Sequence, residues 1–274
     1  MRIRVSHATT YIYDTPPTGV TQLLRKTPRN HDGQYVLNWR LELSQDCLLH
    51  QHEDAFGNIT HSFTADGGFT ELTVAVEGEV DTQDTGGVVA GTLERFPPSL
   101  FLRETELTET DPAITEFAES VGADKGDTLS RLHGLLRALH EYVTFDTDPT
   151  HTSTTAAEAF KLKRGVCQDL AHIFIAAARG IGVPARYVGG HFYRSDGVVV
   201  QEAGHAWAEA YVENVGWVAF DPTHGMCANE SYVRIAVGLD YLGAAPVRGT
   251  RFGGGTETLK VAVHVDQAQR QTQS

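Results

Sequence analysis

The hydrophobic pattern changes period close to residue 96, and that change constrains the fold more than any other feature of the chain. Before it, short segments alternate apolar and polar residues, the period of half-buried strands, over 2–13, 20–26, 35–43, 59–64 and 69–76. Turn chemistry separates them, in Asp14-Thr15-Pro16-Pro17, Asn30-His31-Asp32-Gly33, Phe56-Gly57-Asn58 and Asp66-Gly67-Gly68. The pattern predicts an all-β module over residues 1–95, either a sandwich or barrel-like.

Residues 81–98, rich in Gly, Thr and Asp and ending on Pro97-Pro98, read as a connection. Helical spacing begins after it. Asp111 before Pro112 is an N-cap with proline at the first helical position, opening a short helix to about residue 120. Asp127 caps a longer helix with Leu129, Leu132, Leu136, Leu139 and Val143 at helical intervals. From Thr155 helix and strand alternate, with helices over 156–163 and 167–179 and a strand over 186–193. Hairpin arms follow over 205–212 and 217–220, then a late strand over 259–265. This predicts an α+β core over residues 96–265 and a polar, disordered tail over 266–274.

Composition removes several classes of function. The 35 acidic and 22 basic side chains leave a formal charge of −13, a field that repels phosphate backbones and argues against a nucleic-acid partner. The opening residues alternate and hold no unbroken apolar run, so no membrane anchor or secretory signal is expected, and a cytoplasmic protein is the default. Cys47, Cys167 and Cys227 form no CxxC pair and no disulfide framework. The 13 histidines include no HxxxH or HExxH pair, so no metal centre is expected.

One cysteine stands apart. Gly165-Val166-Cys167 precedes Leu170, Ala171, Phe174, Ile175 and Ala178, so Cys167 lies in the first turn of a helix, on the stripe that faces the core. A thiol there meets unpaired N–H groups and the positive end of the helix dipole, and both favour the thiolate nucleophile. The same N–H groups stabilise an oxyanion formed beside the sulfur. Gly165 lets backbone approach a substrate closely. Asp169, in the same turn, opposes ionisation of the thiol unless it points away. Taken alone, a buried small hydrophobe is the commoner fate of a free cysteine.

The partners come from His205-Ala206-Trp207-Ala208-Glu209 and Gly216-Trp217-Val218-Ala219-Phe220-Asp221, two strands joined through Glu213-Asn214-Val215. A two-residue loop would pair Asp221 with Ala208 and turn it away from His205. A three-residue loop pairs Asp221 with Trp207 and makes His205 its diagonal neighbour on one face. The odd-numbered loop, or a bulge, is therefore expected. His205 then takes the proton of Cys167, and Asp221 orients the imidazole and stabilises its charged form.

At these residues the chain resembles the transglutaminase-like superfamily, within the papain-like class of cysteine enzymes. The resemblance rests on Gly165-Val166-Cys167-Gln168-Asp169-Leu170-Ala171-His172, on Gly182-Val183-Pro184-Ala185-Arg186-Tyr187-Val188-Gly189-Gly190, on the His205 strand, and on Gly216 through Thr223. The amino-terminal half, with Asp54-Ala55-Phe56-Gly57-Asn58, is similar to the β-rich module of bacterial members. The resemblance implies a cysteine-bearing helix packed on an antiparallel sheet, behind an all-β N-terminal domain. It implies Cys167, His205 and Asp221 as a catalytic triad, with no metal or organic cofactor. The implied chemistry is acyl transfer at an amide or peptide carbonyl through a thioester. Water resolves it in a peptidase or amidase, and an amine co-substrate in a transglutaminase-type reaction. The implied partner is a peptide, protein or small amide.

Gln168, His172 and Trp207 are the candidates for substrate contact. For Gln168 and His172, shaping the pocket and holding the helix are both open, and Trp207 also suits plain packing. His151, His191 and His224 either border the cleft or lie on the surface. The rival reading is a non-catalytic peptide-binding module on the same fold, for which three retained polar residues would be needless. Substrate identity and oligomeric state stay open.

Overall fold

The alternating segments of the first third form strands β1 (Arg2–Tyr13), β2 (Pro17–Thr27), β3 (Gln34–Leu43), β4 (His50–Glu53), β5 (Ile59–Asp66) and β6 (Glu71–Thr82) in a computed structural model. The structure describes residues 1–122, 126–148 and 150–268. A short β7 (Val88–Val89) leads to helices α1 (Pro112–Gly122) and α2 (Thr128–Tyr142). Then come β8 (Thr144–Phe145), α3 (Ala156–Leu162), β9 (Arg164–Gly165), α4 (Cys167–Gly180), β10 (Ala185–Phe192), β11 (Val200–Gln201), β12 (His205–Val212) and β13 (Gly216–Asp221). The chain ends through β14 (Met226–Cys227), β15 (Tyr232–Gly238), α5 (Tyr241–Ala244), β16 (Val247–Gly253) and β17 (Glu257–Gln267).

The amino-terminal strands make two sheets, in the orders β11-β17-β1-β6-β3 and β16-β2-β5-β4. Tyr13, Leu72 and Val74 from the first pack against Val20, Leu24, Phe63 and Ala65 from the second, so the module is a sandwich. Its boundary departs from the expected one at residue 95. β17 pairs with β1 over its whole length and β16 pairs with β2, so the last strands complete sheets begun by the first. That pairing joins residues some 250 positions apart, beyond the reach of any local pattern. Part of the tail expected to be disordered, Asp266 and Gln267, is paired in β17; residues 269–274 lie outside the described residues.

The second region is α+β. Its antiparallel sheet runs β14-β13-β12-β10-β15, and α4 lies against β12 and β10 with α1, α2 and α3 on its other sides. The sequence gives α4 one apolar stripe, yet Ile173, Ala176 and Ala177 off that stripe are as buried as Leu170 and Phe174. A helix apolar all round belongs at a centre, and α4 is the central helix. Arg179 near its end is buried as well, tied to the carbonyl oxygens of Phe101, Ala185 and Leu239 and to Thr108 Oγ1.

The two regions join along the free edge of β15. Asn58 Oδ1 accepts from Val237 N at 2.8 Å and its Nδ2 donates to Val237 O at 2.7 Å. Gln34 does the same for Arg234, at 2.8 and 2.9 Å. Each amide side chain imitates one residue of a neighbouring strand, so the edge is paired without a strand. Among the described residues no helix is long and apolar enough to cross a membrane.

Candidate active site

Cys167 is the first residue of α4, as its sequence position requires, and is half-buried against the core. Asp169 does not face the sulfur. Its Oδ2 turns back to accept the Val166 N–H at 2.8 Å and the Thr150 hydroxyl at 2.8 Å. Burial pushes the Asp169 carboxyl up, and those two hydrogen bonds oppose the rise. This return explains Gly165: a Cβ there would lie 2.7 Å from Asp169 Oδ2. The glycine makes room for the cap rather than for a substrate. With the Val166 N–H taken, the N–H groups of Cys167 and Gln168 have no carbonyl within α4 to bond and stand beside the sulfur.

The hairpin register follows the three-residue loop. Val212 pairs with Gly216 and Ala208 with Phe220, which brings Asp221 opposite Trp207. His205 Nε2 lies 2.6 Å from Asp221 Oδ2. The carboxylate is fully buried and ionised, so this nitrogen carries the proton and donates it. Nδ1 is then the nitrogen that Asp221 leaves unengaged, and Cys167 is near enough to favour the charged form of His205. Burial works against a charged His205, but the field of Asp221, their hydrogen bond and the contact with Cys167 outweigh it and hold the imidazolium up to about 10. For Asp221 burial favours the neutral acid, and His205 and then His224 overcome it, so its pKa lies well below the usual carboxylate range.

Sequence reasoning left His224 undecided and missed Tyr232. The same Asp221 Oδ2 accepts from His224 Nδ1 at 2.6 Å and from the Tyr232 hydroxyl at 2.7 Å. Asp221 Oδ1 accepts the Thr223 N–H at 2.9 Å. Phe192 lies 4.3 Å from the His224 ring and 4.8 Å from Tyr232, closing an aromatic wall around the carboxylate. The Asp221-Pro222-Thr223-His224 run was the available signal, since a turn carries its fourth residue back toward its first. Tyr232 arrives from a distant strand and had none.

The other candidates are placed as follows. Gln168 is buried, its Nε2 donating to Thr152 O at 3.2 Å, which ties the preceding loop to α4. His172 is fully buried and its Nε2 accepts the Tyr241 N–H at 3.0 Å; burial takes its pKa down to about 3, so it is a neutral imidazole inside the core. Trp207 is 1 % exposed, its ring against Gly190, where a Cβ would lie 2.7 Å from the indole and 2.1 Å from Val233 O. His191 is buried and His151 is exposed. Among the described residues His205, Asp221 and His224 bring three ligand-type atoms within 4.8 Å of one another. Both ring nitrogens spend their protons on one carboxylate oxygen, so a cation would have to displace both.

A cysteine opening a central helix, facing a histidine and an aspartate on adjacent antiparallel strands, is the layout of the papain-like class of cysteine enzymes. Residues 115–222 match the transglutaminase-like superfamily, and residues 3–81 match the bacterial transglutaminase-like N-terminal region. The chain belongs to the transglutaminase-like superfamily, in its bacterial form with that N-terminal region. It is 28% identical to an uncharacterised protein of Mycobacterium leprae (strain TN), over 96% of this chain and 98% of that one. An uncharacterised protein of Mycobacterium tuberculosis (strain H37Rv) is 27% identical, over 97% and 92%. The fold is shared with a crystal structure described as a candidate cysteine protease from Cytophaga hutchinsonii, with TM-score 0.79 and 21% identity, covering 98% of this chain and 91% of that one.

Proposed function

We propose that the protein is a cysteine-dependent acyl-transfer enzyme that attacks an amide or peptide carbonyl. The observation that carries this is the His205–Asp221 pair at 2.6 Å, together with Cys167 at the first turn of α4, which helps keep His205 charged. The Cys167 proton passes to His205 Nδ1, giving a thiolate and an imidazolium that Asp221 stabilises. The thiolate forms a bond to the carbonyl carbon, and the oxyanion is met by the first N–H groups of α4. Collapse breaks the C–N bond, and the leaving amine takes the proton from His205. Water or a second amine then attacks the thioester, gives its proton to His205, and releases the acyl group and the thiolate. Water makes the enzyme a peptidase or amidase; an amine makes it a transferase.

The test is labelling with an amide-mimic, thiol-directed probe, followed by a product screen on glutamine-containing and isopeptide-bearing peptides with and without added amine. Labelling should fall on Cys167 and vanish in Cys167→Ala. Labelling that persists at another residue, or turnover that survives the substitution, would overturn the assignment.

A further inference from the structure

Tyr232 reaches Asp221 only because β15 breaks its own alternation. Val237 packs with Val188 and Trp207 on the sheet face turned away from α4, and Tyr232 joins that same cluster. In an unbroken strand two residues five positions apart point to opposite faces. The break is a β-bulge: Gly189 pairs with Ala236 but Gly190 with Arg234, so Ile235 is an extra residue. Ile235 and Ala236 both join the core around α4, and everything before them changes face. A bulge of this kind beside a reacting group re-aims a side chain. Here it turns Tyr232 onto the face of His205, its ring 5.3 Å from Trp207 and 5.9 Å from His205.

The hydroxyl arrives at a crowded carboxylate. Among the described residues five donors reach Asp221. Its Oδ1 accepts the N–H groups of Thr223 at 2.9 Å and His224 at 3.4 Å, and its Oδ2 accepts His205, His224 and the Tyr232 hydroxyl. Removing the hydroxyl leaves four of these, enough to keep the carboxylate in place. What changes is how its charge is shared. A carboxylate with fewer donors is a stronger acceptor for those that remain, so His205 would be held as imidazolium more firmly. The His224 side chain is 32% exposed, and water can take its part. Tyr232 is 5% exposed, and nothing replaces its hydroxyl.

The titratable groups around His205 come from each element packed on it. They are Asp221 of β13, His224 of the turn that follows, Tyr232 of β15 and Cys167 of α4, while His191 of β10 feels the charge of His205. A histidine in this place must take a proton from the thiol and then release it, and one that binds the proton too firmly stalls at the second step. We propose that Tyr232 is a positioning residue that acts through Asp221. Its buried hydroxyl takes a share of the carboxylate and so limits how firmly His205 keeps the proton destined for the leaving amine. This rests on the acyl-transfer reading and adds to it a residue that tunes the base.

Tyr232→Phe removes the hydroxyl and keeps the ring. In the Cys167→Ala background, where no thiolate adds to the titration, nuclear magnetic resonance should find His205 losing its proton at least about half a pH unit higher than in Cys167→Ala alone. With Cys167 restored, Tyr232→Phe should react with iodoacetamide at least about twofold faster on the acid limb of the rate profile, since a better-held imidazolium keeps more thiolate there. A phenol that only packs would leave both measurements unchanged, and one that only holds Asp221 in place would lower both on removal; either result overturns the proposal. Should Tyr232→Phe fail to fold, 3-fluorotyrosine at position 232 decides, because its more acidic phenol donates more strongly in nearly the same shape. The His205 titration should then move to lower pH, and one that stays or rises overturns the proposal. Failure of the acyl-transfer reading looks different: Cys167 is then never labelled by the amide-mimic probe, while the His205 titration still follows the group at position 232.

Discussion

Asp221 decides the electrostatics of the site, because one of its oxygens receives His205, His224 and Tyr232 together. Asp221→Asn keeps the shape and removes the charge. Burial then acts on His205 against a weaker opponent, so its pKa should drop from about 10 to below the ordinary 6.5. Without the imidazolium beside it, Cys167 should react with iodoacetamide at least about tenfold more slowly near neutral pH. Alkylation at an unchanged rate would show that Asp221 does not govern the thiol. His224→Phe keeps the contact with Phe192 and returns a share of Oδ2 to His205, so kcat/KM should stay within about threefold of the parent. A loss as large as that of Asp221→Asn would instead make His224 part of the proton machinery. The His205–Asp221 pair and the helix-start position of Cys167 were legible because each residue sits at a patterned place, a helix start or a strand end. Tyr232 was not, since an aromatic on an apolar strand looks like core until its hydroxyl is seen to donate.

The elements were read unequally well, and the reason is the distance over which each is determined. The β12–β13 register depends on counting three residues between two strands, and the Val212–Gly216 pairing shows it. The placement of β16 and β17 depends on pairing with β2 and β1 at the other end of the chain, and no local periodicity encodes that. Asn58 reads in the sequence as a turn residue, which it is, but it also closes the edge of β15. That second role has an energetic signature. Asn58→Ala leaves the buried N–H and C=O of Val237 without partners and removes a hydrogen bond to Asp54 at 2.9 Å. The expected cost is about 3 kcal/mol in urea unfolding, against a few tenths for an exposed turn asparagine. A cost below about 1 kcal/mol would mean that the amide does not stand in for a strand.

At the scale of the whole molecule, the buried bases shape how stability depends on pH. His172 and His191 are held down to about 3 and His31 to about 4 by burial, with His7 lower still. The unfolded chain takes up protons below about pH 6.5 that these folded imidazoles refuse, so stability falls on acidification from that point. Each buried imidazole contributes up to about 2 kcal/mol of that loss by pH ~5. On the alkaline side two groups oppose each other. His205 keeps its proton up to about 10, whereas the unfolded histidine loses it at 6.5, so its contribution is full below 6.5 and is lost as pH rises through 10. Lys26 gives up its proton at about 7, whereas the unfolded lysine keeps it to 10.5, so its contribution grows as pH rises through the same window. The two slopes have similar size and opposite sign, and the parent protein should be nearly flat in urea unfolding between about pH 7 and 8.5. Lys26→Met removes the rising member. Its stability should then decline by about 1.4 kcal/mol per pH unit across that window, the slope of one proton held by the folded state alone. A variant as flat as the parent would show that His205 is not held protonated by Asp221, and the argument for a thiolate at Cys167 would lose its electrostatic support.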